Sequence, residues 1–417
     1  MRYNLGYMDK YPIEAAGSVI ENNPMFKIYM KSPVDAARLE GALYKAMETY
    51  PLFATRVEFD GEYYLATNTR PIKLIHAGEE DRPLNFGKDT NDYPWQCCYR
   101  DNVITFEWLH GVTDGLGAMN FFSQVLIQYC QPELPASAPV EPLPLGLGLE
   151  PFYDPKEKGE NFHTDPPGFS FKDFPAIKNR GYTTDCHHLR APTAEIAACA
   201  RDLGSSFAPV IALLFSKALR RRLPENIKNR NVACNVVMNL RQPLEYETMH
   251  NCVEYKRITY QDKYDAMSLK DAAAEYKHIL DNGRLKANVV KMVTDRVRLF
   301  RVLHAIRVKK ILNSIVSLTG LLLKDKDCNF VLTYPGQITF PKSVLDEVED
   351  VQLKLWHDFG ECIIACLDYN GVFNVNICEN YADKGVVDEF IRISEEVGIH
   401  WENVSCAEFT QAHFVES

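Results

Sequence analysis

The sequence predicts an α/β protein of two lobes with strands and helices mixed in each, and three observations carry that expectation. The chain has 417 residues, more than one hydrophobic core ordinarily organises. Segments rich in β-branched and aromatic residues alternate with stretches of helical apolar spacing along its whole length. A proline-crowded stretch divides the chain: Pro132, Pro135, Pro139, Pro142, Pro144, Pro151, Pro155, Pro166 and Pro167 fall between Gln131 and about Gly181. Regular structure is not expected there. The lobes are accordingly placed at residues 1–135 and 182–417, with a crossover over 136–181.

The first lobe opens with a strand, Phe26 to Met30. A helix follows, with Val34, Leu39, Leu43, Ala46 and Met47 on one stripe, and Pro51 ends it. Thr55–Phe59 and Tyr63–Leu65 read as a hairpin across Asp60-Gly61. Trp95–Tyr99 and Val103–Leu109 read as a second hairpin around Asp101-Asn102, and Leu116–Leu126 as the next helix. The second lobe restarts with His187-His188-Leu189-Arg190 and a helix from Thr193 to Leu203. Gly204 closes that helix, and Ser205 or Ser206 caps the next, which runs to Arg221. Asn231–Met238 is a strand, and Leu269 to Leu323 is helical in pattern. Late strands are Phe330–Thr333, Cys362–Leu367 and Val372–Ile377, the last two joined by the Asn370-Gly371 turn. A closing helix spans Lys384 to Val397.

Composition is that of an ordinary globular protein, 46% hydrophobic and 24% charged. A net charge of −10 argues against nucleic acid as the partner. The first ten residues lack the apolar core of a signal peptide, and Ile311–Leu323 is too short to span a bilayer and carries Asn313, Ser314 and Ser317. No transmembrane segment and a cytoplasmic location are expected. The twelve cysteines form no paired CxxC framework; Cys97-Cys98 and Cys362/Cys366 lie in apolar strands. Buried free thiols are expected, and no metal site. Leu145-Gly146-Leu147-Gly148 lacks the strand-to-helix setting of a nucleotide loop, and no GxSxG elbow is present.

The chemistry concentrates in His110-Gly111-Val112-Thr113-Asp114-Gly115, between a strand and a helix. Continued alternation would put His110 on the strand face of Ile104, Phe106 and Trp108. An imidazole with an ordinary pKa of about 6.5 suits a general base near neutral pH. The motif resembles the HxxxDG signature of the acyl-CoA-dependent acyltransferase superfamily, which includes chloramphenicol acetyltransferase, nonribosomal peptide condensation domains and alcohol acetyltransferase-like proteins. Ala200–Gly204, the Asn239-Leu240-Arg241-Gln242-Pro243 turn, the Tyr334–Pro341 segment and Asp358-Phe359-Gly360 resemble further family segments in family order.

That resemblance implies two chloramphenicol acetyltransferase-like lobes, each a mixed sheet flanked by helices, with an active-site tunnel between them. It implies acyl transfer from a thioester to a hydroxyl or amine, with His110 as catalytic base. Asp114 would be structural, paired with Arg241, and Gly115 would allow close backbone approach; Asp358 and Gly360 would also be structural. Gly111 would either serve the same need for room or only shape the turn. Acyl-coenzyme A or an acyl-phosphopantetheine would be co-substrate, with no bound cofactor. Partners would be a small-molecule alcohol or amine and a thioester donor, a carrier protein among the options. Leu109 stands where condensation domains carry a second histidine, and Glu361-Cys362 replaces the Trp-Gly of the plant enzymes' DFGWG. The first departure favours the simpler acyltransferase branch, and the second favours a structural part for Asp358-Phe359-Gly360. The rivals are a standalone condensation-like enzyme and a non-catalytic binding protein of the same fold. His187-His188 reads as structural, and His250, His304 and His357 lack partners at informative spacing. The arginines and lysines from Arg296 to Lys310 read as a solvated helix face, the alternatives being contact with the phosphates of coenzyme A or of a carrier protein's phosphopantetheine arm, or a loose membrane-surface contact.

Overall fold

The structure is a computed structural model that describes residues 2–15, 23–77, 84–140, 148–157, 166–169, 183–303, 328–355, 362–410 and 412–414. The chain begins with β1 (Arg2–Asn4) and α1 (Tyr7–Ala15), neither expected from the sequence, where Pro12 interrupts the helical pattern. Next come β2 (Met25–Met30) and α2 (Ala36–Thr49). The Asp35 carboxylate caps α2 by accepting from the Arg38 N–H at 3.0 Å, and Leu39, Ala42, Leu43, Ala46 and Met47 form its buried stripe. β3 (Thr55–Phe59) and β4 (Tyr63–Thr67) make the Asp60-Gly61 hairpin, with Gly61 at φ 71°. After the short β5 (Leu74–His76) and β6 (Asn85–Phe86), β7 (Trp95–Arg100) and β8 (Val103–Trp108) pair as the second hairpin, and α3 runs from Gly115 to Cys130.

The second lobe contains β9 (Thr183–Pro192), α4 (Thr193–Asp202) and α5 (Phe207–Arg222). Gly204 follows α4 at φ 62°, the left-handed conformation expected of a terminating glycine. β10 (Val232–Asn239), α6 (Arg241–Leu244) and β11 (Val253–Tyr260) follow, then α7 (Asp262–Ala266), α8 (Leu269–Gly283) and α9 (Lys286–Leu303). The helical pattern from Leu269 is thus two helices broken at Arg284-Leu285, and residues 304–327 lie outside the described residues. The chain continues through β12 (Phe330–Thr333), β13 (Gln337–Ile338), α10 (Lys342–Leu345), β14 (Val348–Lys354), β15 (Cys362–Tyr369), β16 (Val372–Glu379), α11 (Val386–Glu395), β17 (Glu402–Thr410) and β18 (His413–Phe414). Asn370 (φ 50°) and Gly371 (φ 80°) form the tight turn between β15 and β16.

Two sheets dominate. A five-stranded sheet has the order β14-β2-β8-β7-β5, and an eight-stranded one runs β11-β10-β12-β15-β16-β9-β17 with β13 paired to β15. β14 therefore leaves the second lobe's stretch of sequence and adds to the sheet built by the first. Its register with β2 pairs Val351 with Ile28 and Leu353 with Phe26. The continuous apolar run of β15 has a geometric reason. Cys362, Ile364 and Cys366 pack into the second lobe's core, whereas Ile363, Ala365 and Leu367 pack into the core that holds Phe106 and Trp108. A strand covered on both faces needs no polar side.

The junction is also polar. The His188 Nε2 lies 2.8 Å from Asn374 Oδ1, and its Nδ1 lies 3.2 Å from Gln352 Nε2. Asn374 Nδ2 donates to Asp350 Oδ1 at 2.9 Å, and Asn376 Nδ2 to the Leu353 carbonyl at 3.1 Å. These bonds tie β14 to β9 and β16. At the chain's end, the Ala412 N–H donates to Glu107 on β8 at 2.7 Å.

All twelve cysteines are free, most of them buried. Among the described residues no three His, Cys, Asp or Glu side chains gather as a metal site. Among them, too, no single helix is long and apolar enough to cross a membrane; α4 and α5 together have the length but are bent by 83°.

Candidate active site

The site begins where β8 ends. The strand stops at Trp108, one residue earlier than the expected end at Leu109, and the chain folds into a tight loop before α3. The Leu109 N–H donates to the Pro94 carbonyl at 2.9 Å and Val112 N–H to the Leu109 carbonyl at 2.9 Å. The loop is braced from both sides: Trp108 Nε1 donates to the Thr113 carbonyl at 3.2 Å, and Thr113 Oγ1 to the Met249 carbonyl at 2.5 Å. His110 consequently departs from the strand face expected of it. Ile104, Phe106 and Trp108 are fully buried in the core, while His110 is partly exposed on the wall of a cleft.

Asp114 is the N-cap of α3. Its Oδ1 accepts from the Leu116 N–H at 3.1 Å and the Gly117 N–H at 3.0 Å. Its Oδ2 accepts from the Cys252 N–H at 2.9 Å. Arg241 donates to the same carboxylate twice, Nη1 to Oδ2 at 2.7 Å and Nη2 to Oδ1 at 3.0 Å. Arg241 Nε and Nη2 also reach the carbonyls of Thr248 and His250, each at 2.9 Å. Asp114 is among the residues that line the cleft, but its carboxylate is 1% exposed and its lone pairs are taken up by the loop, α3, Cys252 and Arg241. A buried pair so completely hydrogen-bonded fixes the loop, α3 and the β11 entry as one unit.

The glycines divide differently from expectation. A Cβ on Gly115 would meet only Pro335, at 4.0 Å, so close backbone approach is not what this glycine provides. It lines the cleft, and its missing side chain leaves the space toward Pro335 open. Close approach rests instead on its neighbours. A Cβ on Gly111 would press into Ile13 and come within 2.6 Å of the Asp9 carbonyl oxygen; one on Gly117 would overlap Thr113 and come within 2.7 Å of the Met249 carbonyl oxygen.

Burial is the main influence on the His110 imidazole and lowers its pKa below the ordinary 6.5. Its own carbonyl, the carboxylates of Asp114 and Asp9, and the Thr113 carbonyl push the other way without reversing the shift. The ring is therefore neutral at neutral pH, with a nitrogen able to accept a proton. Its Nδ1 lies 3.1 Å from Asn251 Nδ2.

The cleft encloses about 850 Å³, its open mouth included. Pro24, Gly115 and Leu116 form part of its wall, β10 and β11 contribute Val237, Asn239, Val253 and Tyr255, and Val331, Thr333, Tyr334 and Pro335 close another side. Leu353 and Leu355, at the end of β14, complete the apolar lining. Sequence reading did not single out Asn251, Thr333 or Tyr255. Tyr334 and Pro335 carried a signal, the resemblance of their segment to a family turn. Nothing in spacing marks Asn251, because its partner is 141 residues away.

The other histidines weighed in the sequence are absent from the cleft lining or lie outside the described residues. His188 is a buried junction residue, and His187 Nε2 lies 3.4 Å from Glu379. His250 is buried with its Nδ1 3.5 Å from Asp9 Oδ2, a pairing invisible at 241 positions' remove in sequence. His304, His357, Asp358 and Gly360 lie outside the described residues. The described arginines of α9 are occupied internally: Arg296 forks onto Glu254 at 3.0 and 3.1 Å, Arg298 Nη2 donates to the Pro155 carbonyl at 3.2 Å, and Arg301 stacks on Tyr153. They hold crossover residues and β11 rather than forming a wholly solvated face.

No protein-family model and no curated protein matches the sequence. Solved structures do match. TRI101 from F. sporotrichioides, solved with coenzyme A and T-2, is similar at a TM-score of 0.66 and 12% identity, covering 97% of this chain and 100% of that one. Polyketide synthase associated protein 5 from Mycobacterium tuberculosis is similar at a TM-score of 0.64 and 14% identity, covering 95% and 97%. The condensation domain from Monacolin K polyketide synthase MokA is similar at a TM-score of 0.56 and 11% identity, covering 95% and 96%. The chain thus shares its two-lobed chloramphenicol acetyltransferase-like fold with acetyltransferases and condensation domains.

Proposed function

We propose that the protein transfers an acyl group from a thioester, acyl-coenzyme A, to a hydroxyl or amine of a small molecule. The observation that carries this reading is the setting of His110: a neutral imidazole on the wall of an apolar cleft of about 850 Å³, on a loop pinned by the buried Asp114–Arg241 pair. His110 takes the proton of the acceptor as its oxygen or nitrogen attacks the thioester carbonyl. The tetrahedral intermediate collapses, the C–S bond breaks, and the imidazolium returns the proton to the leaving thiolate. Thr333 and Tyr334 line the same cleft, and their hydroxyls are the groups nearest in kind to an oxyanion stabiliser. Asp114 and Arg241 hold the loop without touching substrate, and Asp358 and Gly360 keep the structural part that the resemblance gives them. Fold likeness to a coenzyme A complex supports the donor. The lobe division at 1–135 and 182–417 stands as the working one, with β14 lent to the first sheet. A cytoplasmic setting agrees with twelve free cysteines.

The test is a donor and acceptor screen. Acyl-coenzyme A and acyl-loaded carrier protein are offered with panels of alcohols and amines, for the native chain and for His110→Ala. Turnover with the coenzyme A thioester, reduced about 10²–10⁴-fold in the variant, is expected. Turnover with the loaded carrier alone identifies a condensation-like enzyme. Undiminished turnover in the variant removes His110 as base, and binding without turnover by the native chain identifies a non-catalytic protein.

A further inference from the structure

Asn251, two residues before β11, places its Nδ2 3.1 Å from His110 Nδ1 and 3.4 Å from the His110 carbonyl oxygen. Its Oδ1 is buried and has no hydrogen-bond partner among the described residues. Amide oxygen and nitrogen are nearly identical in shape, so the hydrogen carried by the neighbour decides which one faces it. With Nδ2 toward the ring, Nδ1 must accept, and the hydrogen of the neutral imidazole sits on Nε2, which then cannot take a proton. With the amide turned about, Oδ1 accepts from Nδ1–H. Oδ1 gains the ring hydrogen as a partner, Nδ2 moves into the buried place that Oδ1 leaves, and Nε2 presents its own lone pair. The turn gives up the 3.4 Å contact to the carbonyl, which is at the long limit of a hydrogen bond. The carbonyl oxygens of His110 and Thr113 also face the ring and favour a hydrogen on it.

We propose that Asn251 is a positioning residue that holds the hydrogen of His110 on Nδ1 through its Oδ1, and so keeps Nε2 available to the acceptor's proton. This rests on the reading of His110 as base and adds the device that fixes its tautomer. Asn251 touches neither acceptor nor donor and acts only through the ring.

The experiment has a spectroscopic and a kinetic arm, both on the full chain. Histidine labelled with nitrogen-15 reports, through long-range proton–nitrogen correlations, which ring nitrogen carries the hydrogen; the His110 signals are those lost in His110→Ala. The native chain is expected to show Nδ1–H, Asn251→Asp to keep it, since a carboxylate can only accept, and Asn251→Leu to lose it. In acyl transfer Asn251→Leu is expected to lower kcat about 10²-fold with little change in KM, at the low end of what a general base contributes. Asn251→Asp is expected to recover most of that loss and to move the acid limb of the pH profile upward, because its charge stabilises the imidazolium. An Nε2–H tautomer in the native chain overturns the proposal. So does an aspartate variant less active than the leucine variant, the ranking that simple donation to the His110 carbonyl would produce. Should Asn251→Leu fail to fold, the native spectrum and the aspartate variant still decide. Undiminished turnover in His110→Ala defeats the base reading, while the spectrum separately settles what Asn251 does to the ring.

Discussion

Arg241 closes on Asp114 with two parallel hydrogen bonds, 2.7 and 3.0 Å long, between residues 127 positions apart. Asp114 caps α3 and lines the cleft that holds His110, and Arg241 opens α6 just after β10. The pair works as a buckle that ties the loop carrying the imidazole to the segment between β10 and β11.

Asp114→Asn is accordingly expected to damage the fold before the chemistry. The substitution leaves the Arg241 charge without its counter-ion in a buried site, at a cost of about 3–5 kcal/mol. Denaturant unfolding and soluble yield check this. A variant as stable as the native chain that nonetheless loses turnover would return Asp114 to the reaction itself.

The pH–rate profile is expected to rise through a pKa below 6.5 and then level, because burial lowers the His110 value. Asp9 adds a negative charge that favours the imidazolium, so Asp9→Asn is expected to move this limb to still lower pH. An acid limb above 6.5 in the native chain, or an upward move in the variant, would contradict the electrostatics described here.

The three glycines of the loop are expected to respond unequally to alanine. Gly111→Ala and Gly117→Ala force a methyl against backbone carbonyls and are expected to cost about 1–3 kcal/mol each as overpacking. Gly115→Ala is expected to leave unfolding almost unchanged and to alter KM by narrowing the space toward Pro335. Thermal unfolding of the three variants, with KM for the last, tests the ranking.

His188 makes the junction of the sheets sensitive to acid. Burial lowers its pKa, so the unfolded chain binds the proton more readily than the folded one. Its contribution is complete above about pH 6.5 and declines as pH falls below that value. His188→Gln is expected to flatten the loss of stability between pH 6.5 and the lower folded value, measured by denaturant midpoints at several pH values. His110 contributes with the same sign, so a residual slope is expected; an unchanged slope would remove His188 as a source.

Much of the fold was legible locally. The Asp60-Gly61 and Asn370-Gly371 hairpins, the Gly204 terminator and the β12 strand Phe330–Thr333 carry their geometry in a few adjacent residues. The α1 helix was not legible, since Pro12 breaks the pattern that would mark it and the packing of Asp9, Ile13 and Glu14 against other segments sustains it. Nor was β14, whose seven residues were not expected as a strand and which pairs with β2 at long range.

The same division holds for the site. The sequence alone determined that a histidine ends an apolar strand, that an aspartate follows four residues on in a turn, and that a helix begins just after it. Those are properties of neighbouring residues, set by alternation, capping and turn chemistry. Only the tertiary structure decided which carbonyls crowd Gly111 and Gly117, that Gly115 leaves open space, that Asn251 reaches the ring, and that Leu353 and Tyr334 wall the same cleft. Such relations join residues more than a hundred positions apart. Packing and the pairing of buried charge create them, and no local propensity records either.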